Sequence, residues 1–250
     1  LILGLISCNT DRNLITIDEM NFEEEISVVQ NLEFTLNQHL FNDSLFNRWV
    51  DDELLSIQPH VQGKFKKSTF EVISFAAAIA QKQNLPLVAL SIGDVSDEEL
   101  GKAGKYGVTK VLKAVGDSLK EMNVQPYASV IAQAAKAENA KVIVLSASFS
   151  GKGIAPRVAI KLDAGLADNV IDLPVMDGPF IVKKGAFSGK AFAFVEISSD
   201  VKVISMIPNS YKVVESPGSA AITIFETQIE AKDLTVTVKE TKRSTDKVSL

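Results

Sequence analysis

The hydrophobic pattern of this chain changes period near residue 68, and from there helical and strand patterns alternate. Phe70, Val72, Ile73, Ala76, Ala77, Ile79 and Ala80 recur at the i, i+3, i+4, i+7 spacing that one helix face turns toward a core, and Ser68 is placed to cap that helix. Leu87-Val88-Ala89-Leu90-Ser91-Ile92 is a continuous apolar run closed by Gly93, the pattern of a strand covered on both faces. Ser96-Asp97-Glu98-Glu99 predicts a capped helix start, and residues 108–115 a second strand. Gln125-Pro126 opens a further helix carrying Val130, Ile131, Ala134 and Ala135 on one face, and residues 142–145 predict a third buried strand. Strands separated by helices of this length pair in parallel through right-handed crossovers, so the fold class is α/β. Beyond residue 178 short turn-separated strands return, over residues 179–183, 191–197, 201–207 and 222–227. They predict an antiparallel extension on the parallel sheet.

Composition also divides the chain, a few residues before the pattern changes. Residues 1–60 hold eleven Asp/Glu against Arg12 and Arg48, whereas the other 190 residues hold twenty Asp/Glu and twenty-four Lys/Arg. The first lysine is Lys64. Such a break suggests two segments of different history, residues 1–61 and residues 62–250, the alternative being a charged N-terminal extension on an ordinary domain. The net charge of −5 disfavours nucleic-acid binding, which needs clustered Lys and Arg. A single cysteine, Cys8, excludes an internal disulfide, and with only His39 and His60 no metal site is expected. No apolar run reaches the roughly 20 residues of a membrane helix.

In the N-terminal segment, Leu5-Ile6-Ser7-Cys8 resembles the lipobox of a bacterial lipoprotein signal, which implies diacylglycerol on the Cys8 thiol and a membrane-anchored head. Leu32-Glu33-Phe34-Thr35-Leu36 alternates at period 2, and Leu54-Leu55-Ser56-Ile57-Gln58 predicts another strand, stopped by Pro59. Residues 31–37, 43–49 and 61–65 resemble the first β-domain of bacterial macroglobulin-family lipoproteins. A β-sandwich needs about seven strands, so this piece is not expected to fold alone.

The motif with most chemistry in it follows the third buried strand: Ser146-Ala147-Ser148-Phe149-Ser150-Gly151-Lys152-Gly153-Ile154-Ala155-Pro156-Arg157. A small-residue loop that opens a helix at the carboxyl edge of a sheet favours an anion, through free backbone N–H groups and the helix dipole. Gly151 and Gly153 permit close backbone approach, with Lys152 and Arg157 as charge partners. The other reading is an ordinary strand-to-helix turn with solvated basic residues. The spacing is neither G-x-x-x-x-G-K-[ST] nor G-x-G-x-x-G.

Gly63-Lys64-Phe65-Lys66-Lys67-Ser68-Thr69-Phe70-Glu71 and residues 150–166 resemble the electron transfer flavoprotein alpha subunit, over about residues 62–250. The resemblance implies a Rossmann-like, adenine-nucleotide-alpha-hydrolase-like architecture: a mostly parallel sheet with helices on both faces. It implies a cytoplasmic electron carrier, not an enzyme, with no catalytic residue. The partner would be a beta subunit, and the pair would shuttle electrons from flavin dehydrogenases, such as acyl-CoA dehydrogenases, to a quinone oxidoreductase. FAD would sit mainly in a C-terminal domain expected to begin near residue 250, and AMP in the beta subunit. The equivalent loop of this chain would then be an interface or structural element rather than a nucleotide site, with Ser146, Gly151, Lys152 and Arg157 as its cofactor-binding candidates. Residues 54–60 would replace the family's first strand, as an edge strand. Exposed apolar surface is expected where partner domains pack. Both resemblances meet at Gln62-Gly63-Lys64-Phe65-Lys66, which suggests a chimera joined there, with a true fusion as the competitor. Two other functional readings stay open: an adenine-nucleotide-binding module of the same fold, and a surface lipoprotein fragment.

Overall fold

The computed structural model describes residues 53–58, 60–61, 64–236 and 238. Cys8, the lipobox and the strand expected at residues 32–36 lie outside them. Eleven strands and four α-helices are present among the described residues. In chain order these are β1 (Glu53–Gln58), β2 (His60–Val61), β3 (Lys64–Phe65), α1 (Lys67–Gln83), β4 (Leu87–Ile92), α2 (Asp97–Gly101), β5 (Lys110–Ala114), α3 (Val124–Ala137), β6 (Ala140–Ser146), α4 (Phe149–Leu162), β7 (Gly165–Val170), β8 (Ile181–Ala186), β9 (Ala191–Glu196), β10 (Lys202–Met206) and β11 (Ala221–Ile224).

Nine strands form one sheet in the order β11-β5-β4-β1-β6-β10-β7-β8-β9, and β2 and β3 pair separately as a short antiparallel ribbon. The seven strands from β11 to β7 run parallel, and β8 and β9 continue the sheet antiparallel. The α/β class and the antiparallel extension expected from the pattern are both present. Two of the expected extension strands are elsewhere. β10 lies inside the parallel sheet between β6 and β7, and β11 closes its opposite edge beside β5. The reason is the connection between them, which crosses the outer face of α1. Its Asn209 N–H donates to Glu71 Oε2 at 2.7 Å, its Val214 N–H donates to Ser74 Oγ at 3.0 Å, and the Tyr211 and Phe75 rings meet edge-on at 5.5 Å. Long crossovers of this kind leave no period in the sequence.

β1 corrects a second expectation. It is not an edge strand: Leu54–Gln58 registers with Leu87–Ser91 of β4 on one side, and Glu53–Ser56 with residues 140–144 of β6 on the other. The sheet therefore takes its interior strand from residues assigned by composition to the N-terminal segment. An interior position satisfies the backbone groups of both strand edges, whereas an edge leaves one row open.

Side chains alternate between the two sheet faces. Ala89, Val144, Ile204 and Met206 pack beneath α1 with Ile73, Phe75 and Ile79. Leu90, Ile143, Leu145 and Val203 pack beneath α3 and α4 with Ile131, Ile154 and Val158. Each fully buried Leu, Ile or Phe contributes about 1.5–3 kcal/mol, so two apolar layers carry most of the stability. Ser68 does not cap α1. The helix begins one residue earlier, at Lys67, and the Thr69 hydroxyl accepts from the Lys66 N–H at 3.3 Å.

Candidate functional site

The loop singled out in the sequence stands at the carboxyl edge, beside the point where the chain switches sides of β1. Open α/β sheets bind ligands in that position. Ser146 ends β6 and is buried. Ser148, with φ −63° and ψ 170°, is the N-cap of α4. Its Oγ accepts from the Gly151 N–H at 3.2 Å, and its carbonyl accepts from the Lys152 N–H at 2.9 Å. Two amides of the first turn are thereby used by the chain itself.

Gly151 is there for closeness. A Cβ on it would stand 1.8 Å from the Ser146 carbonyl oxygen, so only glycine fits. The contact seals the loop against the strand rather than opening a cradle. Gly153 approaches Val124 of α3 in a similar way, with a Cβ falling 3.1 Å from Val124 Cγ1. Lys152 and Arg157 are both exposed. They are five positions apart, about 140° around the helix, and so cannot converge on one anion. Arg157 turns back along its own helix, Nη1 donating to the Gly153 carbonyl at 2.7 Å. The structure does not bring Ser146, Gly151, Lys152 and Arg157 into one site. Two are buried in the turn and two face solvent on different sides. These residues do not fit a nucleotide or flavin phosphate. A shallow groove of about 190 Å³ lies at the other edge of the sheet, where α3 ends and β6 begins, lined by Lys136, Asn139, Lys141 and Leu162.

Among the described residues no three His, Cys, Asp or Glu side chains come together in a metal-holding group, and no helix is long and apolar enough to cross a membrane.

Two surfaces show the exposed apolar character expected where partner domains pack. The first is β9. Its register with β8 pairs Lys183 with Phe194 and Gly185 with Phe192. The Ile197 N–H donates to the Phe180 carbonyl at 2.9 Å, which fixes the alternation of the ladder. By that alternation Phe192, Phe194 and Glu196 direct their N–H and C=O groups away from β8. No described strand pairs with that edge. Phe192 and Phe194 are 52 % and 50 % exposed on the same face, with the Lys183 ammonium 4.7 Å from the Phe192 ring centroid. The signal was in the sequence as Ala191-Phe192-Ala193-Phe194, whose larger residues fall on the outer face. The second is the outer stripe of α4, bordered by a strap after β11.

The strap crosses α3 and reaches α4. Gln133 and Gln228 exchange two hydrogen bonds, at 2.6 and 2.9 Å, and the Thr235 hydroxyl reaches Gln125 Oε1 at 3.1 Å. Asp233, buried between the helices, accepts from the Ser129 hydroxyl at 2.6 Å and from Lys161 Nζ at 3.2 Å. Burial pushes the Asp233 carboxyl up, but the hydroxyl and the ammonium outweigh it and hold it below the ordinary carboxylate range. Nearby, burial pushes the Tyr127 phenol up to about 12, with its OH donating to the Leu119 carbonyl at 3.2 Å.

Comparison with known proteins adds the lineage. A family model described as "Electron transfer flavoprotein domain" matches residues 54–237. The chain is similar to the electron transfer flavoprotein subunit alpha of Bacillus subtilis, 28 % identical over 190 residues, covering 75 % of this chain and 58 % of the relative. The subunit of the same name from Syntrophomonas wolfei is 25 % identical over 177 residues, 71 % of this chain and 55 % of the relative. The LctC subunit of the lactate dehydrogenase (NAD(+),ferredoxin) of Acetobacterium woodii is 30 % identical over 135 residues, 54 % of this chain and 32 % of the relative. The chain thus spans little more than half the length of the two alpha subunits.

Proposed function

Because the chain belongs to the electron transfer flavoprotein domain family, we propose that it serves as the N-terminal domain of an alpha subunit, one half of a cytoplasmic heterodimer that carries electrons. In this reading the pair accepts electrons from flavin dehydrogenases, such as acyl-CoA dehydrogenases, and passes them to a quinone oxidoreductase. The domain acts as a scaffold and docking partner rather than a catalyst. FAD belongs to the assembled heterodimer, and AMP to the beta subunit.

One observation carries the reading: the family match runs through the whole sheet from β1, at residues 54–237. The geometry supports it in two ways. The carboxyl-edge loop is closed by the Gly151–Ser146 contact, which disfavours the alternative of an adenine-nucleotide module. The free edge of β9 supports a partner subunit. An unpaired strand edge with outward aromatic side chains is a template for pairing with another chain, and strand addition by a partner is one way to cover it.

The test is co-expression with a beta subunit of the family. A stable 1:1 complex on size exclusion is the expected result. A chain that elutes alone, together with micromolar binding of AMP or ATP, would refute the reading and favour the nucleotide module.

A further inference from the structure

The shallow groove at the amino edge of the sheet has the chain itself entering beside it. Its floor is apolar: Ala135 and Ala140 are buried, and Leu162 and Val201 pack on the layer beneath α3 and α4. Lys136 and Lys141 stand on its rim. At about 190 Å³ it is smaller than the roughly 300–1,000 Å³ of a small-molecule pocket, and it suits one or two side chains. β1 begins there, with Glu53 the register partner of Ala140. The residues before Glu53 therefore reach the sheet at the lip of the groove. The last described residues lie elsewhere. The Val236 carbonyl accepts from Asn123 Nδ2 at the start of α3, whereas the groove lies at the end of that helix, 14 residues and so about 20 Å away. Chain that follows Val236 starts from the wrong edge to cover the groove, and chain that precedes β1 starts on it.

The segment before β1 reads Arg48-Trp49-Val50-Asp51-Asp52. Its residue types run in the order the groove presents. Lys136, in the last turn of α3, and Lys141, on β6, lie nearest β1. Val201, just before β10, comes next. Leu162 and then Asp163, exposed at the C-cap of α4, lie farthest out, where the chain turns into β7. From β1 to β7 is three strand spacings, about 14 Å. Five extended residues span about 17 Å. We propose that residues 48–52 of this chain lie across the groove. Asp51 and Asp52 meet Lys136 and Lys141, Trp49 and Val50 cover Val201 and Leu162, and Arg48 meets Asp163. Charges matched in this order fix the register of a docked segment. Lys141 also holds Asp200 at 2.7 Å, and Lys136 is exposed, so Lys136 is the cation with more to gain. The domain then begins before β1, with its acidic N-terminal segment anchored at the edge opposite the carboxyl-edge loop. The inference does not depend on the heterodimer.

Trp49 is the single tryptophan of the chain, so its fluorescence reports on the groove directly. In the full chain its emission is expected at shorter wavelength than that of tryptophan in water, with weaker quenching by acrylamide. Leu162→Gln spoils the floor and Lys136→Glu reverses the rim. Each should shift the emission to longer wavelength, and the shift from Lys136→Glu should shrink as salt rises. Lys136 is exposed, so that variant keeps the fold, which a thermal melt checks. Phe149→Ser, at the opposite end of α4, should leave the emission in place. Emission like that of free tryptophan overturns the inference. Shielded emission that neither groove variant moves overturns it too, because Trp49 is then covered elsewhere. If residues 135–141 gain hydrogen-exchange protection only when purified beta subunit is added, the groove belongs to that subunit and the inference fails.

Discussion

Gly151 shows how one residue decides between a closed turn and an open site. A methyl group there meets the Ser146 carbonyl oxygen at 1.8 Å, a backbone atom that cannot swing aside. Gly151→Ala is expected to cost about 1–3 kcal/mol or more and to lower the melting temperature by several degrees, read by thermal denaturation. The sequence offered Gly151 as a residue that permits close backbone approach, but not what it approaches. Two glycines and two cations in a loop look the same whether the backbone opens toward a phosphate or closes on the strand before it. Ser148, the residue that consumes the helix amides, lay in the same motif and reads as an N-cap once the helix start is known. Two titrations belong to this scale. The Tyr127 phenol, raised to about 12, should ionise well above the ordinary phenol value of 10 on an absorbance titration. Its neutral form is favoured by the fold, so its contribution is full below the ordinary value of 10 and is lost as pH rises toward 12. Asp233 works in the opposite sense. Its folded pKa lies below the ordinary value of 3.8, so its contribution is full above that value and is lost as pH falls through the folded one. The hydrogen-exchange protection of the strap, measured against the intrinsic rate at each pH, should therefore fall in acid before that of the sheet, and Asp233→Asn should loosen the strap at neutral pH while β4 and β6 stay protected.

At the scale of elements, the central parallel strands and the helices between them were legible because each buries a periodic stripe. β4 and β6 read as apolar runs, and α1 and α3 as 3.6-residue stripes with boundaries off by a residue or two. What was not legible was order. β10 and β11 have the length and composition expected of them, yet a 14-residue connection over α1 carries the chain from between β6 and β7 to the far edge. That path is chosen by Glu71, Ser74 and Phe75, whose partners lie about 140 residues later. β7, residues 165–170, was missed because Gly165, Asp168 and Asn169 dilute its pattern. Gly165 is required there by contact, since a Cβ would meet Ile197 Cγ2 at 2.5 Å. The hairpin of β8 and β9 yields a sharp prediction. The Phe194 N–H points to the free edge, so Phe194→Pro removes no bond to β8. The variant should melt within a few degrees of the unchanged chain and lose beta-subunit binding on size exclusion. Retained binding would show that the partner does not add a strand there.

For the whole molecule, the sheet is built so that its two ends differ. One end is the outer strand β11, which lies in the chain between the two crossing segments, themselves tied to the helices by Glu71, Ser74, Gln133 and Asp233. The other end stops at β9 with its backbone unpaired and its phenylalanines outward. The family match begins at residue 54, on the N-terminal side both of the compositional break and of the Gln62-Gly63-Lys64-Phe65-Lys66 stretch where the two resemblances meet, and β1 is interior. Charge bookkeeping marked a boundary, but it could not tell that the last strand before it belongs to the sheet. The central claim is that this domain exists to be covered by a second subunit. Hydrogen-exchange mass spectrometry of the chain, with and without purified beta subunit, tests it most directly. The account predicts new protection at residues 191–196, with the interior strands unchanged. No change at that segment on adding the subunit would contradict it.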